Sequence, residues 1–252
     1  MKIFRKYNRE EINYYWLNLH QKENDELKSV CFPSHTLFLN RFFDALQKFA
    51  IKRMLKELKI EIKDKRILDL GCGRGRWLQF YGERGGKVVG IDLSEEAVQF
   101  CKKKGFRAIK GNVTNLPFPS ESFDIVNSIT VLHHLNYNDQ KVAGEEIRRV
   151  LVPGGIAILL ECTYNDPSPH MFGRTTQSWQ TLFSNFELLY LEAHYYCSLI
   201  RIFWKIPLLR NIGLLENLIV LIQSPLERYF LRKNFRKVNK KALQHLMVFK
   251  KK

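Results

Sequence analysis

Between positions 66 and 161, short apolar runs alternate with stretches in which apolar residues return every three or four positions. RILDL (66–70), KVVGIDLS (87–94), SFDIVNSI (122–129) and IAILLE (156–161) are rich in Ile, Val and Leu and too short for helices. Such runs read as buried strands. GNVTNLPF (111–118) ends a further strand and enters a loop. Helical spacing fills the gaps at 74–83, 95–104 and 138–150. Ser94 followed by Glu95 and Glu96 marks a helix start, a hydroxyl cap with acids placed against the positive end of the helix. Strand and helix alternating in this way predict an α/β fold, a doubly wound and mostly parallel Rossmann-like sheet.

The flanks carry a different pattern. Residues 10–20 and 38–58 read as helices; in the second, Phe38, Phe42, Phe43, Leu46, Phe49, Ala50 and Met54 recur near i, i+3, i+4 with lysines between them. Residues 1–65 therefore read as an N-terminal helical cap. Beyond 161 come a loop with Pro167 and Pro169, a short helix at 175–183, a sixth strand at 186–196 and a last strand at 245–250. The stretch 197–241 is longer than a hairpin needs and reads as two helices broken near Pro207 and Pro225. The organisation expected is a cap (1–65), a core (66–196), and a helical insertion with the final core strand (197–252).

Chemistry enters at the junction of the first strand and first core helix. RILDL runs directly into GCGRG (71–75) and then into RWLQFY. Gly71, Gly73 and Gly75 let the backbone turn sharply and approach a ligand with no Cβ in the way. Asp92 ends the second strand about 20 residues past the glycines, the offset at which a carboxylate reaches ribose hydroxyls. The loop lacks the last glycine of the dinucleotide fingerprint, and Asp69 stands where a pyrophosphate would meet a negative charge. A carboxylate there suits a ligand carrying an amino group and a sulfonium, which favours S-adenosylmethionine over NAD.

LDLGCGRG, GIDLS, GNVTNLPF, FDIVNS and RVLVPGG stand in one order along 68–155. Together they resemble the class I S-adenosylmethionine-dependent methyltransferases. The resemblance implies a seven-stranded sheet whose last two strands pair antiparallel. It implies cofactor contacts from Asp69, Gly71, Cys72, Gly73, Gly75, Asp92 and Leu93, with Asn112 and Val113 flanking the adenine and Ser128 and Ile129 beneath the methionine portion. Where many members carry an aspartate this chain has Asn112, whose amide oxygen is expected to accept the adenine amino hydrogen. The acceptor pocket opens after the fourth strand, so His133, His134 and Glu161 are the candidates for catalysis, His133 or His134 as general base. His170 and Arg174 on the following loop are candidates for holding an anionic or sugar acceptor.

Composition adds a partner question. The chain carries 41 Lys and Arg against 25 Asp and Glu, a net charge of +16. Residues 197–252 hold 13 of the cations and 2 of the acids, while 66–196 are balanced. A basic tail mixed with an aliphatic stripe (Leu208, Leu209, Ile212, Leu215, Leu218, Ile219, Ile222) points to an anionic or lipid-linked acceptor, or to peripheral contact of 199–237 with a membrane surface. RNA is the alternative partner. The 5 cysteines are scattered, without a CxxC pair, which argues for a reducing compartment and no metal site. Residues 1–11 are too polar for a signal peptide, so a cytoplasmic location is expected. The function expected is S-adenosylmethionine-dependent methyl transfer to a small-molecule, glycan or lipid-linked acceptor, with a tRNA methyltransferase or a non-catalytic binding module as alternatives.

Overall fold

The computed structural model describes residues 5–22, 27, 36–164, 168–194, 218, 222 and 242–252. The helices expected in the insertion lie outside these residues, apart from Leu218 and Ile222, which are helical and exposed. The elements run α1 (Arg9–Lys22), α2 (Leu37–Glu57), β1 (Arg66–Leu70), α3 (Arg76–Gly82), β2 (Lys87–Asp92), α4 (Glu95–Lys103), β3 (Ala108–Lys110), β4 (Phe123–Ile129), α5 (Tyr137–Val150), β5 (Leu151–Cys162), α6 (Thr176–Leu182), β6 (Phe186–His194) and β7 (Gln244–Lys251). A single 3-10 turn, Leu132–His134, sits between β4 and α5.

One seven-stranded sheet has the order β3-β2-β1-β4-β5-β7-β6. The first five strands are parallel, and β7 runs antiparallel between β5 and β6. Alternation along the strands sorts apolar side chains to two faces. Ile67, Ile125, Ile158, Leu160, Leu246 and Val248 pack on one face with Ala50, Ile51 and Met54 of α2 and Trp77, Phe80 and Tyr81 of α3. Leu68, Leu70, Val126, Ala157, Leu159, Met247 and Phe249 pack on the other with Ala143 and Ile147 of α5 and Trp179 of α6. Helices on both faces are what a parallel sheet requires, since neither face can be left to water.

The sequence pattern starts the fifth strand at 156, whereas β5 begins at Leu151. Leu151 pairs with Phe123, the register then shifts, and Ile156 pairs with Ile125. Pro153, Gly154 and Gly155 form an irregularity inside one strand, with Gly154 at φ 74°. Helix starts follow the expected capping chemistry. Ser94 Oγ accepts the Ala97 N–H at 3.2 Å, and the Asn136 side chain accepts from Asn138 and Asp139 at the start of α5. No helix among the described residues is long and apolar enough to cross a membrane.

Candidate active site

The strand order reverses between β1 and β4, so the loops after the C-terminal ends of β1, β2, β3 and β4 converge around one crevice. The crevice holds a half-open cavity of about 130 Å³. Its floor is Gly71, Cys72 and Gly73 from the β1 loop, Asp92 and Leu93 from β2, Gly111, Asn112 and Val113 after β3, and Ile129, Thr130 and Val131 after β4.

The β1 loop has its shape for steric reasons. Gly71 takes φ +57°, and a Cβ there would sit 2.7 Å from Cγ2 of Val131, so only glycine fits. Asp92 ties this loop to β2. Its Oδ2 accepts the Gly73 N–H at 2.8 Å and its Oδ1 the Ser94 N–H at 2.9 Å. A carboxylate offers about four lone-pair sites, so two remain for a diol. Thr130, a β-branched residue, is held at φ 60° on the cavity wall, a conformation that tertiary context must impose. Its N–H donates to the Leu160 carbonyl at 2.8 Å and its Oγ1 to the Ile129 carbonyl at 2.6 Å.

Asp69 lies beneath the loop, 1% exposed. Its Oδ1 accepts from Asn127 Nδ2 at 2.7 Å, and Asn127 in turn accepts from the Tyr81 hydroxyl at 2.9 Å. Its Oδ2 is buried and has no partner among the described residues. Burial pushes the carboxyl up from 3.8 to about 7, against the pull of the Asn127 hydrogen bond and of Arg76. Asp69 does not itself line the cavity, so its carboxylate would act on a ligand's cationic amino group as buried negative charge beneath the glycine loop.

On the acceptor side, the 3-10 turn after β4 is organised by Glu161. This carboxylate accepts the Ser128 hydroxyl at 2.9 Å and the backbone N–H groups of Leu132 and His133 at 3.1 and 3.2 Å. His133 donates its Nδ1–H to the same carboxylate. Glu161, Ser128 and His133 are all buried and away from the cavity wall. The expectation that Glu161 and His133 face an acceptor, and that Ser128 touches the cofactor, is therefore corrected. The N–H groups that open a helical turn need acceptors, and Glu161 supplies them. His134, the next residue, does line the cavity. Its Nδ1 donates to the His170 carbonyl at 3.2 Å, which leaves Nε2 as the unprotonated nitrogen. Burial, then His133 and His170, hold its pKa well below the usual histidine range.

Other expectations are revised as well. Asn112 Oδ1 already accepts from the Thr114 N–H at 3.0 Å and the Thr114 hydroxyl at 2.9 Å. Both lone pairs are used, so its oxygen is not available to an adenine amino group. Gly75 starts α3 at φ +85° and does not reach the cavity; a Cβ there would press on Phe106 and Cys101. Arg174 bonds Gln140, Ser178 and the Tyr137 carbonyl, tying α5 to α6. The ring of His170 stacks on Tyr15 at 4.4 Å, making it part of the roof.

Sequence reading missed the composition of that roof. Ile12, Asn13, Trp16 and His20 of α1 line the cavity, with Arg76 and Trp77 of α3. Trp16 packs on His134 at 4.5 Å between ring centroids. α1 is latched at its start by the Arg9–Asp139 ion pair and by Lys6 Nζ donating to the Ser168 carbonyl at 2.9 Å. At its end, Arg74 donates to the His20 carbonyl at 3.3 Å and Gln21 to Glu96 at 3.2 Å. The one signal available was the placement of Ile12, Trp16 and His20 at helical spacing, without any motif beside them.

This fold and this crevice have the arrangement of class I S-adenosylmethionine-dependent methyltransferase domains. Residues 68–159 match the family model described as "Methyltransferase domain". The chain is 35% identical over 115 residues to a human protein named "Probable tRNA methyltransferase 9B", a match covering 45% of this chain and 25% of the relative. It is 29% identical over 164 residues to a demethylmenaquinone methyltransferase of Staphylococcus aureus (strain JH9), covering 62% of each. A SAM-dependent methyltransferase from Archaeoglobus fulgidus shares the fold at a TM-score of 0.56 and 19% identity, over 83% of this chain and 98% of that one. The chain spans about a quarter to a third of the length of the tRNA methyltransferase relatives it matches.

Proposed function

We propose that this chain transfers the methyl group of S-adenosylmethionine to a small-molecule, glycan or lipid-linked acceptor, at O, C or N. The single observation that carries the acceptor class is the roof. α1 covers the acceptor side with Ile12, Asn13 and Trp16, leaving a half-open cleft rather than a broad surface, which suits a small ligand. The S. aureus relative named for a small acceptor matches over 62% of both chains, whereas the matches to the tRNA enzymes cover 25% to 32% of those proteins.

The bound cofactor supplies a methyl group already activated by a positive sulfur. What the chain's residues do is hold and orient. Asp92 takes the ribose hydroxyls on the lone pairs that Gly73 and Ser94 leave free. Asp69 offers the amino group negative charge from beneath the glycine loop without lining the cavity. Leu93 and Val113 flank the adenine, with Cys72 and Ile129 on the floor. His134 Nε2 receives a proton from the acceptor where one must leave. Glu161 and His133 act through His134, by fixing the turn that carries it.

The three-part organisation into cap, core and basic insertion, a cytoplasmic location and peripheral membrane contact through 199–237 belong to this same reading. A second reading, an RNA acceptor, is favoured by the named tRNA relatives and by an exposed basic groove. Lys52, Lys56, Lys59, Lys63 and Arg84 line it, before the N-terminal ends of β1 and β2. Incubating the chain with methyl-labelled S-adenosylmethionine and fractionated lysate separates the two. Label in the organic-soluble or small-molecule fraction supports the first reading. Label confined to nuclease-sensitive material overturns it in favour of RNA, and no label in any fraction overturns both.

A further inference from the structure

The floor of the cavity accounts for one side of the cofactor's sugar, but a ribose hydroxyl both donates and accepts. Asp92 can only accept. A donor opposite it would complete the pair, and the two N–H groups that the carboxylate already holds, those of Gly73 and Ser94, are spent on it. The roof supplies one. His20 is in the last turn of α1, lines the same cavity as Asp92 and Gly73, and is 6% exposed. Its Nδ1 is buried and has no hydrogen-bond partner among the described residues. An unpartnered buried imidazole nitrogen costs free energy unless something else occupies it.

The backbone around His20 is held in place. Its carbonyl accepts from Arg74 at 3.3 Å, and the next residue, Gln21, reaches Glu96 at 3.2 Å. Arg74 belongs to the glycine loop and Glu96 to the helix that follows Asp92. The side chain is therefore fixed relative to both halves of the ribose site. Asp92 and Glu96 put negative charge near the ring and Arg74 positive charge.

We infer that His20 is a ribose-binding residue, donating a hydrogen bond from Nδ1 to a hydroxyl whose own proton goes to Asp92. This rests on S-adenosylmethionine being the ligand of the cavity. It makes α1 part of the cofactor site as well as the wall facing the acceptor.

Isothermal titration of the full chain with S-adenosylhomocysteine, and with its analogue lacking both ribose hydroxyls, tests the assignment. His20→Phe should weaken S-adenosylhomocysteine about ten-fold, the loss expected for one hydrogen bond, and leave the analogue's affinity within about two-fold. His20→Asn, whose amide nitrogen stands close to where Nδ1 was, should recover most of that loss. If wild type binds S-adenosylhomocysteine and both variants match it within about two-fold, or if His20→Phe weakens both ligands equally, His20 only fills space and the inference fails. If wild type binds neither ligand, the proposed function itself fails.

Discussion

Replacing Asp69 by asparagine should stabilise the cofactor-free chain at alkaline pH and change it much less at acid pH. The carboxyl is buried with one oxygen unpartnered, and burial raises its pKa from 3.8 to about 7. A raised carboxyl is comfortable in the fold only while neutral. Its contribution is fully present below about pH 4 and is lost as pH rises through about 7, because the unfolded chain ionises first. At about 1.36 kcal/mol per pH unit, the gap between 3.8 and about 7 is worth ~4 kcal/mol above neutrality. Asparagine keeps the hydrogen bond from Asn127, since its carbonyl oxygen accepts as Oδ1 does at 2.7 Å. Its amide nitrogen then lies where Oδ2 had no partner, a cost of roughly 1–3 kcal/mol that does not depend on pH.

The pH-dependent part is therefore the clean signal. Urea unfolding of wild type and Asp69→Asn, followed by circular dichroism, should show the variant gaining on wild type by ~3 kcal/mol between pH 5 and pH 8. The same substitution should weaken S-adenosylmethionine, because a neutral amide attracts an ammonium less than a carboxylate does. Cofactor binding by wild type below pH 7 should also release protons, measurable by calorimetry in buffers of different ionisation enthalpy, as the ligand's charge draws Asp69 into its ionised form. A stability difference that stays constant across this range within ~1 kcal/mol, or that moves the other way, would refute the argument that Asp69 is held at the expense of stability.

Asp92→Ala should abolish measurable cofactor binding. It should also lower the stability of the cofactor-free chain by ~2–4 kcal/mol, read from urea unfolding, because the N–H groups of Gly73 and Ser94 lose their acceptor; unchanged affinity would remove Asp92 from the site. His134→Phe keeps an aromatic ring against Trp16 and should lower kcat by ~10²–10⁴ if the acceptor must lose a proton, with cofactor affinity within about three-fold. In wild type the acid limb of kcat/KM should fall below the ordinary histidine range, since burial, His133 and His170 depress His134; a limb at the ordinary value would separate it from proton transfer. His194, buried without a partner among the described residues, is held neutral at a pKa of about 3. A depressed histidine contributes stability that is present above its unfolded value of 6.5 and is lost as pH falls toward about 3. His194→Leu should therefore remove ~3 kcal/mol of the acid destabilisation seen at pH 4, while an unchanged pH profile would show that another group is responsible.

The fold was legible where the period of the pattern changes. β1, β2 and β4 begin and end within two residues of where the apolar runs do, since a strand buried on both faces has no other composition. β5 was misjudged by five residues because Pro153-Gly154-Gly155 reads as a terminator, yet Leu151 before it still pairs with Phe123. Within the site, the legible residues are those whose role is imposed on the backbone. Gly71 is required by the approach of Val131, and Asp92 by its place at a strand end. The acids and histidines were harder to read, because a side chain's partner is fixed by the tertiary structure. Glu161 at the end of β5 could have faced the acceptor just as well. That it turns to the N–H groups of residues 131–133 depends on a turn some thirty residues earlier in the chain.

The same reasoning explains why the residues of the roof could not be named from the sequence, although a helical cap was expected there, and why they matter. Gly71, Asp92, Asn112 and Ile129 are recognisable because the strand that delivers each also forms the sheet, so motif and scaffold coincide. Ile12, Trp16 and His20 belong to a helix that adds nothing to the sheet. It is held by ion pairs and hydrogen bonds at its two ends, Arg9 to Asp139 and Gln21 to Glu96. A helix so attached can change its inward face without disturbing the core, because Asn13 and Trp16 contact the cavity and the loop rather than the strands. On the proposed function, the floor and His20 hold the donor, while Ile12, Asn13 and Trp16 set which acceptor reaches it. An exchange of the α1 face should accordingly alter acceptor choice while leaving the cofactor site's Asp92, Gly71 and Gly73 in place.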